Sequence, residues 1–436
     1  MKRVLALKIA IIGAGSSYTP EIIEGLLKTQ CFSGLEVALY DLPEGMERTG
    51  IICGLALRMA QRQNVWANIY ITDNLENALK SCSFVVSQFR VGLLEARISD
   101  EKIPLKYGLI GQETTGAGGF FKAMRTIPAT LELTRQMEKI CPDAWLINFT
   151  NPSGIITEAV HRHSSIKCVG LCNIPYNMHV DAARLLEAEI SRVYCRMVGL
   201  NHLSFVTEVY LDGRPVLQGL IENKAFDVQV VKNIPKVPDI AELILKLGMV
   251  PSPYLQYYYY EKEMLEKERR ELSDGTGTRG EQILRTQNQL FEIYKRPEVT
   301  EKPKELEMRG GAYYSTVATT LIKALSGFGP TVTPVNYPNM GAIKDLPDES
   351  VVETNCLVDK NGVQPLSFGF LPPQIKGLVC QVKSYETLTI EASCDQSKDK
   401  AVLALLNHPL IHGYDNAVHL VDEMVEHYGQ YVGELK

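Results

Sequence analysis

A short glycine turn near the start of the chain limits the fold more than any other feature. Residues 9–12 are an apolar run typical of a buried strand, and the turn Gly13-Ala14-Gly15-Ser16-Ser17 follows. Thr19 is then expected to cap a helix with Pro20 at its first position. A strand, a Gly-x-Gly turn and a helix start place a pyrophosphate on backbone N–H groups. The turn therefore predicts a parallel α/β sheet that binds a dinucleotide at Gly13, Gly15, Ser16 and Ser17.

An acidic residue follows the second predicted strand. This strand covers residues 36–40 and is followed by Asp41. A carboxylate at this place accepts hydrogen bonds from an adenosine ribose, which favours NAD over NADP. Tyr18 stands where the usual fingerprint has its third glycine, so a purely structural turn is the alternative interpretation.

The composition argues against several classes of protein. With 436 residues the chain is long enough for two lobes, and its net charge of −6 comes without a strongly basic segment, which argues against a nucleic-acid partner. No apolar segment of the sequence has the length of a membrane span. The ten cysteines include no Cys-x-x-Cys pair, so we expect reduced thiols and a cytoplasmic location.

Two arginines and a polar segment follow a further predicted strand. Residues 84–89 form an apolar run, and Arg90 and Arg97 come after it. Residues 103–119 are rich in glycine and threonine, and we expect a long functional loop there. Guanidinium groups bind phosphate or carboxylate with paired hydrogen bonds, so the arginines suit an anionic substrate. Alternatively, they are surface charges that pair with nearby carboxylates.

Three more polar side chains come at the ends of predicted strands. Asn151 follows residues 144–149 and can bind a sugar or a nicotinamide, or else cap a helix. Cys172 ends an apolar run, and His202 ends a similar run farther along the chain. We expect these two strand ends to be neighbours, so that a thiolate and an imidazole could share one metal ion. Each residue alone is more often structural.

A series of short blocks spread over nearly the whole chain resembles one protein family. The blocks are Gly13-Ala-Gly-Ser-Ser-Tyr-Thr-Pro20, Gln88-Phe-Arg-Val-Gly92, Ile103-Pro-Leu-Lys-Tyr-Gly108, Gly111-Gln-Glu-Thr-Thr-Gly116, Asn148-Phe-Thr-Asn-Pro-Ser-Gly154, Gly170-Leu-Cys-Asn-Ile-Pro175, Gly199-Leu-Asn-His-Leu203, Tyr254-Leu-Gln-Tyr-Tyr258 and Arg309-Gly-Gly-Ala-Tyr-Tyr314. With these blocks the chain resembles glycoside hydrolase family 4, whose members use NAD and a divalent metal instead of two carboxylates.

The resemblance implies an α/β fold with two lobes. Residues 1–198 are expected to form a Rossmann-type NAD-binding lobe like that of lactate and malate dehydrogenases. Residues 199–436 are expected to form a second, α+β lobe that completes the substrate and metal site. The resemblance also implies a homodimer or a homotetramer.

The residue after Cys172 indicates the substrate class. Family members with Cys-Asp resemble 6-phospho-α-glucosidases, and those with Cys-Asn-x-Pro resemble 6-phospho-β-glucosidases. This chain has Cys172-Asn173-Ile174-Pro175. The resemblance therefore implies hydrolysis of 6-phospho-β-glucosides such as cellobiose 6-phosphate, with Asn173 among the substrate-binding residues. An Asp could carry a proton to a leaving group, whereas an Asn cannot.

The resemblance further implies a redox route. Mn²⁺, or another divalent metal, is expected on Cys172 and His202, although this ligand pair alone would favour zinc or iron. NAD accepts hydride from C3 of the sugar, and a tyrosine removes the C2 proton that the new ketone has made acidic. The aglycone then leaves from C1, water adds there, and the hydride returns to C3. The base is expected to be Tyr254, with Tyr257 as the alternative.

Arginines complete the implied site, and other functions share parts of it. Arg97, with Arg90 or Asn151, is expected to hold the 6-phosphate. Arg279 is expected at the cofactor, where its charge could lower the pKa of the base.

One alternative function is that of a 6-phospho-α-glucosidase of the same family. Another is a lactate/malate-like NAD-dependent 2-hydroxy-acid dehydrogenase, and a third is a non-catalytic NAD-binding sensor of sugar phosphates.

Overall fold

The fold is seen in a computed structural model that describes residues 5–29, 31–223, 240–309 and 313–436. Within these ranges the chain forms two β-sheets with helices packed on them. Three residues of the last family-like sequence block, Gly310, Gly311 and Ala312, lie outside the described residues.

The described strands belong to a large mixed sheet and a small antiparallel one. They are β1 Leu5–Ile12, β2 Phe32–Tyr40, β3 Ala67–Thr72, β4 Phe84–Ser87, β5 Trp145–Asn148, β6 Lys167–Gly170, β7 Val193–Leu200, β8 Leu203–Leu211, β9 Arg214–Pro215, β10 Val250–Pro251, β11 Thr331–Pro338, β12 Val351–Asp359 and β13 Gly362–Pro365. The large sheet has the order β13-β12-β11-β6-β5-β4-β1-β2-β3. Strands β1 to β6 pair in parallel, and β11 to β13 join antiparallel beside β6. Strands β7 to β10 form the small sheet.

Helices connect the strands and cover the sheets. They are α1 Thr19–Lys28, α2 Met46–Arg62, α3 Leu75–Leu79, α4 Leu93–Lys106, α5 Gly116–Ile140, α6 Ser153–His163, α7 Ile174–Leu185, α8 Leu217–Glu222, α9 Ile240–Leu247, α10 Gln256–Tyr259, α11 Glu261–Ser273, α12 Arg279–Tyr294, α13 Tyr314–Leu325, α14 Pro373–Asp395, α15 Lys398–Asn407 and α16 Tyr414–Val432. In the part of the chain that the structure describes, no helix combines the length and the hydropathy needed to cross a bilayer.

The parallel strands place several loops at one edge of the large sheet. Strand β4 is apolar at three of its four residues and buried at all of them, as expected for a sheet covered on both faces. The carboxyl ends of β1, β4, β5 and β6 lead into the glycine turn and into the segments with Arg90, Asn151 and Cys172. In open α/β sheets ligands bind at this edge. The topology therefore gathers the candidate residues of the first half.

The two halves of the chain share a hydrophobic core. One buried cluster contains Ile9 and Val86 from the first half together with Leu290 and Val335 from the second. Strands β11 to β13 also extend the sheet that β1 begins. The predicted boundary after residue 198 falls within β7, and the division into two domains stays a prediction.

The prediction that Thr19 caps the first helix is wrong. Thr19 is the first residue of α1, and Tyr18 occupies the cap position without a side-chain cap. The Thr19 hydroxyl donates to the carbonyl of Ala14 at 2.8 Å and accepts from the side-chain amide of Gln88 at 2.5 Å. This buried hydroxyl therefore ties the glycine turn to the segment after β4.

The predicted loop over residues 103–119 is shorter than expected. Helix α4 continues through Pro104 to Lys106, and α5 begins at Gly116, which leaves residues 107–115 as the loop. A Cβ at Gly118 would lie 2.4 Å from the carbonyl oxygen of Gln112. The glycines thus allow the first turn of α5 to pack closely on the loop. A segment rich in glycine and threonine is therefore compatible with a helix here.

Candidate active site

A cleft of about 980 Å³ lies at the carboxyl edge of the large sheet. The predicted site residues that line it are Arg90, Arg97, Asn151, Asn173, His202, Tyr254 and Arg279. They come from the segments after β4, β5 and β6, from α4, from the turn between β7 and β8, from the segment after β10, and from the start of α12. Tertiary structure therefore brings side chains from distant parts of the sequence into one cavity.

The predicted metal ligands come from different sheets. Cys172 follows β6 and is buried, whereas His202 lies in the turn between β7 and β8 with a φ of +64°. The two strands that precede these residues, β6 and β7, thus belong to different sheets. The two residues still approach each other, because the side chain of Asn201 hydrogen-bonds the Cys172 sulfur. The ring of Tyr254 stacks on His202, with centroids 3.8 Å apart, and packs on the apolar cluster that contains Cys172.

The electrostatics of this pair fit a metal site. Burial, assisted by the charge of Lys122, lowers the pKa of His202 to about 3, so the imidazole is neutral and keeps a lone pair. Burial raises the pKa of the Cys172 thiol, and a divalent ion at the sulfur would favour the thiolate. No group of three or more His, Cys, Asp or Glu side chains within the described ranges could hold a metal. The pair thus offers two protein ligands, and a bound ion would take its other ligands from substrate or water.

A mostly buried carboxylate gathers three cations in the same cleft. Glu113 pairs with Arg90, with Arg97 at 2.7 Å and with Lys122 at 2.9 Å. Burial alone would raise the pKa of Glu113, but the three cations hold it well below its usual value. Arg97 also donates to Glu101 at 2.8 Å. The alternative that these arginines are surface charges is wrong, because they face buried carboxylates at the cleft. Such a cluster suits an anionic group of a substrate.

Of the two candidate bases, Tyr254 is the one whose ring stacks on His202, a predicted metal ligand. The Tyr254 ring is nearly parallel to that of His202, at 7°, while the Tyr257 ring lies 6.3 Å from Tyr254. Burial raises the pKa of Tyr254 well above its usual value, and the Arg97 guanidinium opposes this rise. Burial likewise raises the pKa of Tyr257. Position favours Tyr254 as the base, and this role stays a prediction.

Arg279 also lines the cleft. It is the first residue of α12. Its pKa is lowered mainly by burial and, to a smaller extent, by the positive charge of Arg97. Tyr18 and Tyr257 are among the groups that act on its charge. The Arg97 guanidinium acts on Tyr254. Arg97 is therefore placed to lower the pKa of the predicted base.

The glycine turn after β1 has the tight geometry of a phosphate-binding loop. Gly13 has a φ of +83°, and a Cβ there would lie 2.8 Å from the chain after β4. The N–H of Gly15 donates to the carboxylate of Asp41 at 2.6 Å, so the acidic residue lies against the turn. Ser16 is half-buried, whereas Ser17 is fully buried, so its hydroxyl is not exposed. The turn fits a dinucleotide through its backbone, and the cofactor roles of these residues stay predictions.

The two asparagines follow adjacent strands of the large sheet. Asn151 comes after β5, and its side-chain amide donates back to the carbonyl of Phe149 at 3.4 Å. The alternative that it caps a helix is wrong, because Pro152 occupies the cap position of α6. Asn173 follows β6, is buried, and precedes α7. Both line the cleft, and their contacts with substrate stay predictions.

Sequence reasoning assigned no role to three residues that the structure places at the site. Glu113 holds the cation cluster, and the Thr114 hydroxyl lies 2.9 Å from Nδ1 of His202. Both belong to the family-like block that starts at Gly111, and this block was the sequence feature that could have identified them. Burial and the charge of Arg90 lower the pKa of Lys122 to about 7. Lys122 lies within α5, and no motif marks it.

Two family models match the chain along most of its length. The model of the family 4 glycosyl hydrolases matches residues 8–188, and the model of the family 4 glycosyl hydrolase C-terminal domain matches residues 197–411. The chain belongs to family 4 of the glycosyl hydrolases. This assignment confirms the resemblance and favours a glycosidase over a dehydrogenase or a sensor.

Relatives within the family carry more specific names. The chain is 44% identical over 433 residues to the probable 6-phospho-beta-glucosidase of Bacillus subtilis (strain 168), with 98% of each protein covered. It is 30% identical over 455 residues to 6-phospho-alpha-glucosidase 1 of Lacticaseibacillus paracasei, again with 98% of each covered.

A solved structure is also similar over the whole chain. The 6-phospho-beta glucosidase from Thermotoga maritima, solved with NAD and glucose-6-phosphate, has 37% identity and a TM-score of 0.89 and covers 99% of this chain and 100% of its own. The same enzyme has been solved with manganese, NAD+ and glucose-6-phosphate. The predicted α/β class, with a Rossmann-type sheet and a further α+β part, is confirmed.

Proposed function

We propose that the protein hydrolyses 6-phospho-β-glucosides with NAD and a divalent metal such as Mn²⁺. One observation carries the proposal. In a chain of family 4, a single cleft brings together Tyr254, His202 and the cations around Glu113. The Bacillus and Thermotoga relatives are named for the β-anomer, and the α-named relative is less similar. Asn173 after Cys172 agrees with the β-type sequence.

The bound groups would supply the chemistry that side chains lack. NAD offers a hydride acceptor, and a divalent metal offers positive charge that polarises a sugar oxygen. Cys172 and His202 would hold the metal, and the backbone of the turn at Gly13 and Gly15 would hold the dinucleotide. The solved structures with NAD and with manganese belong to the Thermotoga relative and support this assignment.

Tyr254 would take a proton from carbon as a general base. Desolvation in the cleft raises its pKa and disfavours the phenolate that a base requires. Arg97 opposes this effect, and the stacked position on His202 puts the ring beside the proposed metal ligands. The residue would therefore be activated by positive charge gathered around it, in the way that buried catalytic groups generally are.

The cation cluster would hold the 6-phosphate of the substrate. Arg97 and Arg90 are fixed by Glu113, so their guanidinium planes are preorganised before the substrate arrives. Arg279 and Asn151 line the same cleft. A phosphate fixed here would orient the sugar ring toward Tyr254 and His202, and an unphosphorylated glucoside would lose this orientation.

The proposal is tested with the two anomers of 4-nitrophenyl 6-phosphoglucoside. The β-anomer should be cleaved when both NAD and Mn²⁺ are present, and cleavage should stop when either is removed. A substrate with deuterium at C2 should react more slowly or exchange its label with solvent. Faster cleavage of the α-anomer would contradict the anomer assignment, and cleavage that persists after complete removal of the nicotinamide cofactor would contradict the redox route.

The same assay separates the proposal from a dehydrogenase. NADH absorbance should not accumulate during turnover, because the hydride returns to the sugar. A stoichiometric rise in NADH with no release of nitrophenol would instead support a 2-hydroxy-acid dehydrogenase.

The proposal extends to the assembly and the location of the enzyme. We expect a homodimer or a homotetramer, which light scattering of the purified protein would establish. We also expect a cytoplasmic enzyme. All ten cysteines are free thiols, as is usual for proteins in a reducing compartment.

A further inference from the structure

A chain of hydrogen bonds links the loop before α5 to His202. We propose that Thr114 is a positioning residue that accepts the Nδ1 proton of His202 and so leaves Nε2 unprotonated for a metal ion. This inference rests on the proposed metal site. It gives Thr114 a part in that site.

The side-chain amide of Gln112 sets the direction of the chain. Its Oε1 atom lies 2.5 Å from the backbone nitrogen of Thr114 and 2.9 Å from that of Thr115. Backbone N–H groups only donate, so the atom that they meet must be the carbonyl oxygen of the amide and not its NH₂ group. The orientation of Gln112 therefore follows from two backbone contacts.

The direction of the next two hydrogen bonds follows from the orientation of Gln112. The Thr114 hydroxyl lies 2.9 Å from Oε1 of Gln112 and 2.9 Å from Nδ1 of His202. A carbonyl oxygen cannot donate, so the single hydroxyl proton goes to Gln112, and Nδ1 must donate to the hydroxyl oxygen. If the hydroxyl donated to Nδ1 instead, a lone pair of the hydroxyl oxygen would face a lone pair of Gln112 Oε1 at 2.9 Å. In a neutral imidazole a proton on Nδ1 leaves the lone pair on Nε2.

Two further contacts hold the plane of the imidazole. The ring of Tyr254 lies nearly parallel to it, with 3.8 Å between centroids, and His202 is in a left-handed backbone conformation within the tight turn between β7 and β8. Stacking fixes the ring plane but does not distinguish the two nitrogens, so the choice of tautomer depends on Thr114. Outer hydrogen bonds of this kind commonly tune the metal affinity of a histidine.

Metal binding is measured with two variants of Thr114. Thr114→Val keeps the shape of the side chain and removes the hydroxyl, whereas Thr114→Ser keeps the hydroxyl. The signal of free Mn²⁺ in electron paramagnetic resonance, recorded with NAD-loaded protein, gives the affinity without reference to turnover. Thr114→Val should weaken binding by about 10- to 100-fold, and Thr114→Ser should stay much closer to wild type. Equal affinities in wild type and Thr114→Val would overturn the proposal.

A second measurement is made on the metal-free wild-type protein and uses no variant of Thr114. Histidine labelled with ¹⁵N in the metal-free wild-type protein reports the tautomer of each ring, and His202→Asn identifies the resonance of His202. We expect a neutral ring with the proton on Nδ1, and a proton on Nε2 would overturn the proposal. Failure of the metal site itself is distinguishable, because wild type and Cys172→Ala would then bind Mn²⁺ equally poorly while the tautomer is as expected.

Discussion

Burial and nearby cations set the charge state of single residues in this cleft. The same low-dielectric surroundings raise the pKa of Tyr254, lower that of Lys122 to about 7 and keep His202 neutral. Glu113, surrounded by three cations, has its pKa driven below the usual value against the effect of burial. Positive charge placed beside buried groups in this way suits the activation of a weak acid.

The first prediction separates the two candidate bases. Tyr254→Phe removes the hydroxyl but keeps the ring that stacks on His202. We expect kcat to fall by about 10²- to 10⁴-fold, the usual contribution of a general base, with Mn²⁺ affinity nearly unchanged. The matched control is Tyr257→Phe, a half-buried neighbour in the same cleft, which should lose far less. A larger loss in Tyr257→Phe would move the role of base to that residue.

A second prediction concerns the pH dependence of stability. Glu268 lines the cleft and accepts from the N–H of Gly111 at 2.8 Å, and burial raises its pKa from 4.5 to about 7. A carboxyl whose folded pKa is raised adds stability that is full below pH 4.5 and is lost as pH rises through 7. Relative to Glu268→Gln, wild type should therefore lose on the order of 1–3 kcal/mol of unfolding free energy between pH 5 and pH 8.

Urea unfolding at the two pH values measures this difference. The control is Glu266→Gln, an exposed carboxylate on the same helix, which should show no comparable pH dependence. If the difference between wild type and Glu268→Gln stays constant over this range, then the carboxyl of Glu268 titrates normally.

At the scale of elements, the contact between α5 and the preceding loop positions much of the site. That loop carries Glu113 and Thr114, and the first turn of α5 packs directly on its backbone. A side chain at Gly118 would meet two carbonyl oxygens, of Gln112 at 2.4 Å and of Asp100 at 2.8 Å. Backbone atoms cannot rotate away as a flexible side chain can, so this packing depends on the missing Cβ.

The third prediction follows from that contact. Gly118→Ala should lower the free energy of unfolding by about 1–3 kcal/mol, because the added methyl group forces the loop away from α5. Gly50→Ala is the control, since Gly50 lies in α2 with nothing within 4 Å of an added Cβ. It should be neutral or stabilise by about 0.4–1 kcal/mol. Denaturant midpoints measure both, and equal midpoints for Gly118→Ala and wild type would contradict the close packing.

At the scale of the whole molecule, buried ions join the two halves of the chain. Lys383 of α14 lies 2.7 Å from Glu158 of α6 and 2.5 Å from Glu386, and all three side chains are buried. Glu158 also accepts from the backbone N–H of Val351, at the start of β12. The network therefore connects the Rossmann-type sheet with the helices of the second half.

The fourth prediction tests this connection. Lys383→Met should destabilise the protein by about 3–5 kcal/mol, because it leaves the buried Glu386 without its cation and Glu158 with Arg162 as its remaining partner. Lys376→Met is the control on the same helix, where Lys376 is half exposed and pairs with Asp345. It should cost no more than about 1 kcal/mol. Both are measured by urea unfolding, and similar losses in the two variants would mean that the buried network contributes no more than a surface pair.

The sequence alone determined the features that depend on local order. The Gly-x-Gly turn, the apolar strands of the first half and Asp41 after β2 predicted the α/β sheet, and the family-like blocks predicted the enzyme class. Asp212 and Gly213, both at positive φ, form a two-residue hairpin turn between β8 and β9, a position that Asp-Gly favours. Each of these features depends on neighbours within a few residues, so the pattern of residues carries the information.

Only the tertiary structure decided which side chains meet. It brought Cys172 and His202 together from the ends of strands in different sheets, set Arg97 near Tyr254, and joined Thr114 to the imidazole. It also added β11 to β13 to the first sheet, although their residues lie far along the chain. The physical reason is that hydrogen bonds, stacking and burial depend on distances in space, and residues far apart in sequence carry no local pattern that records those distances.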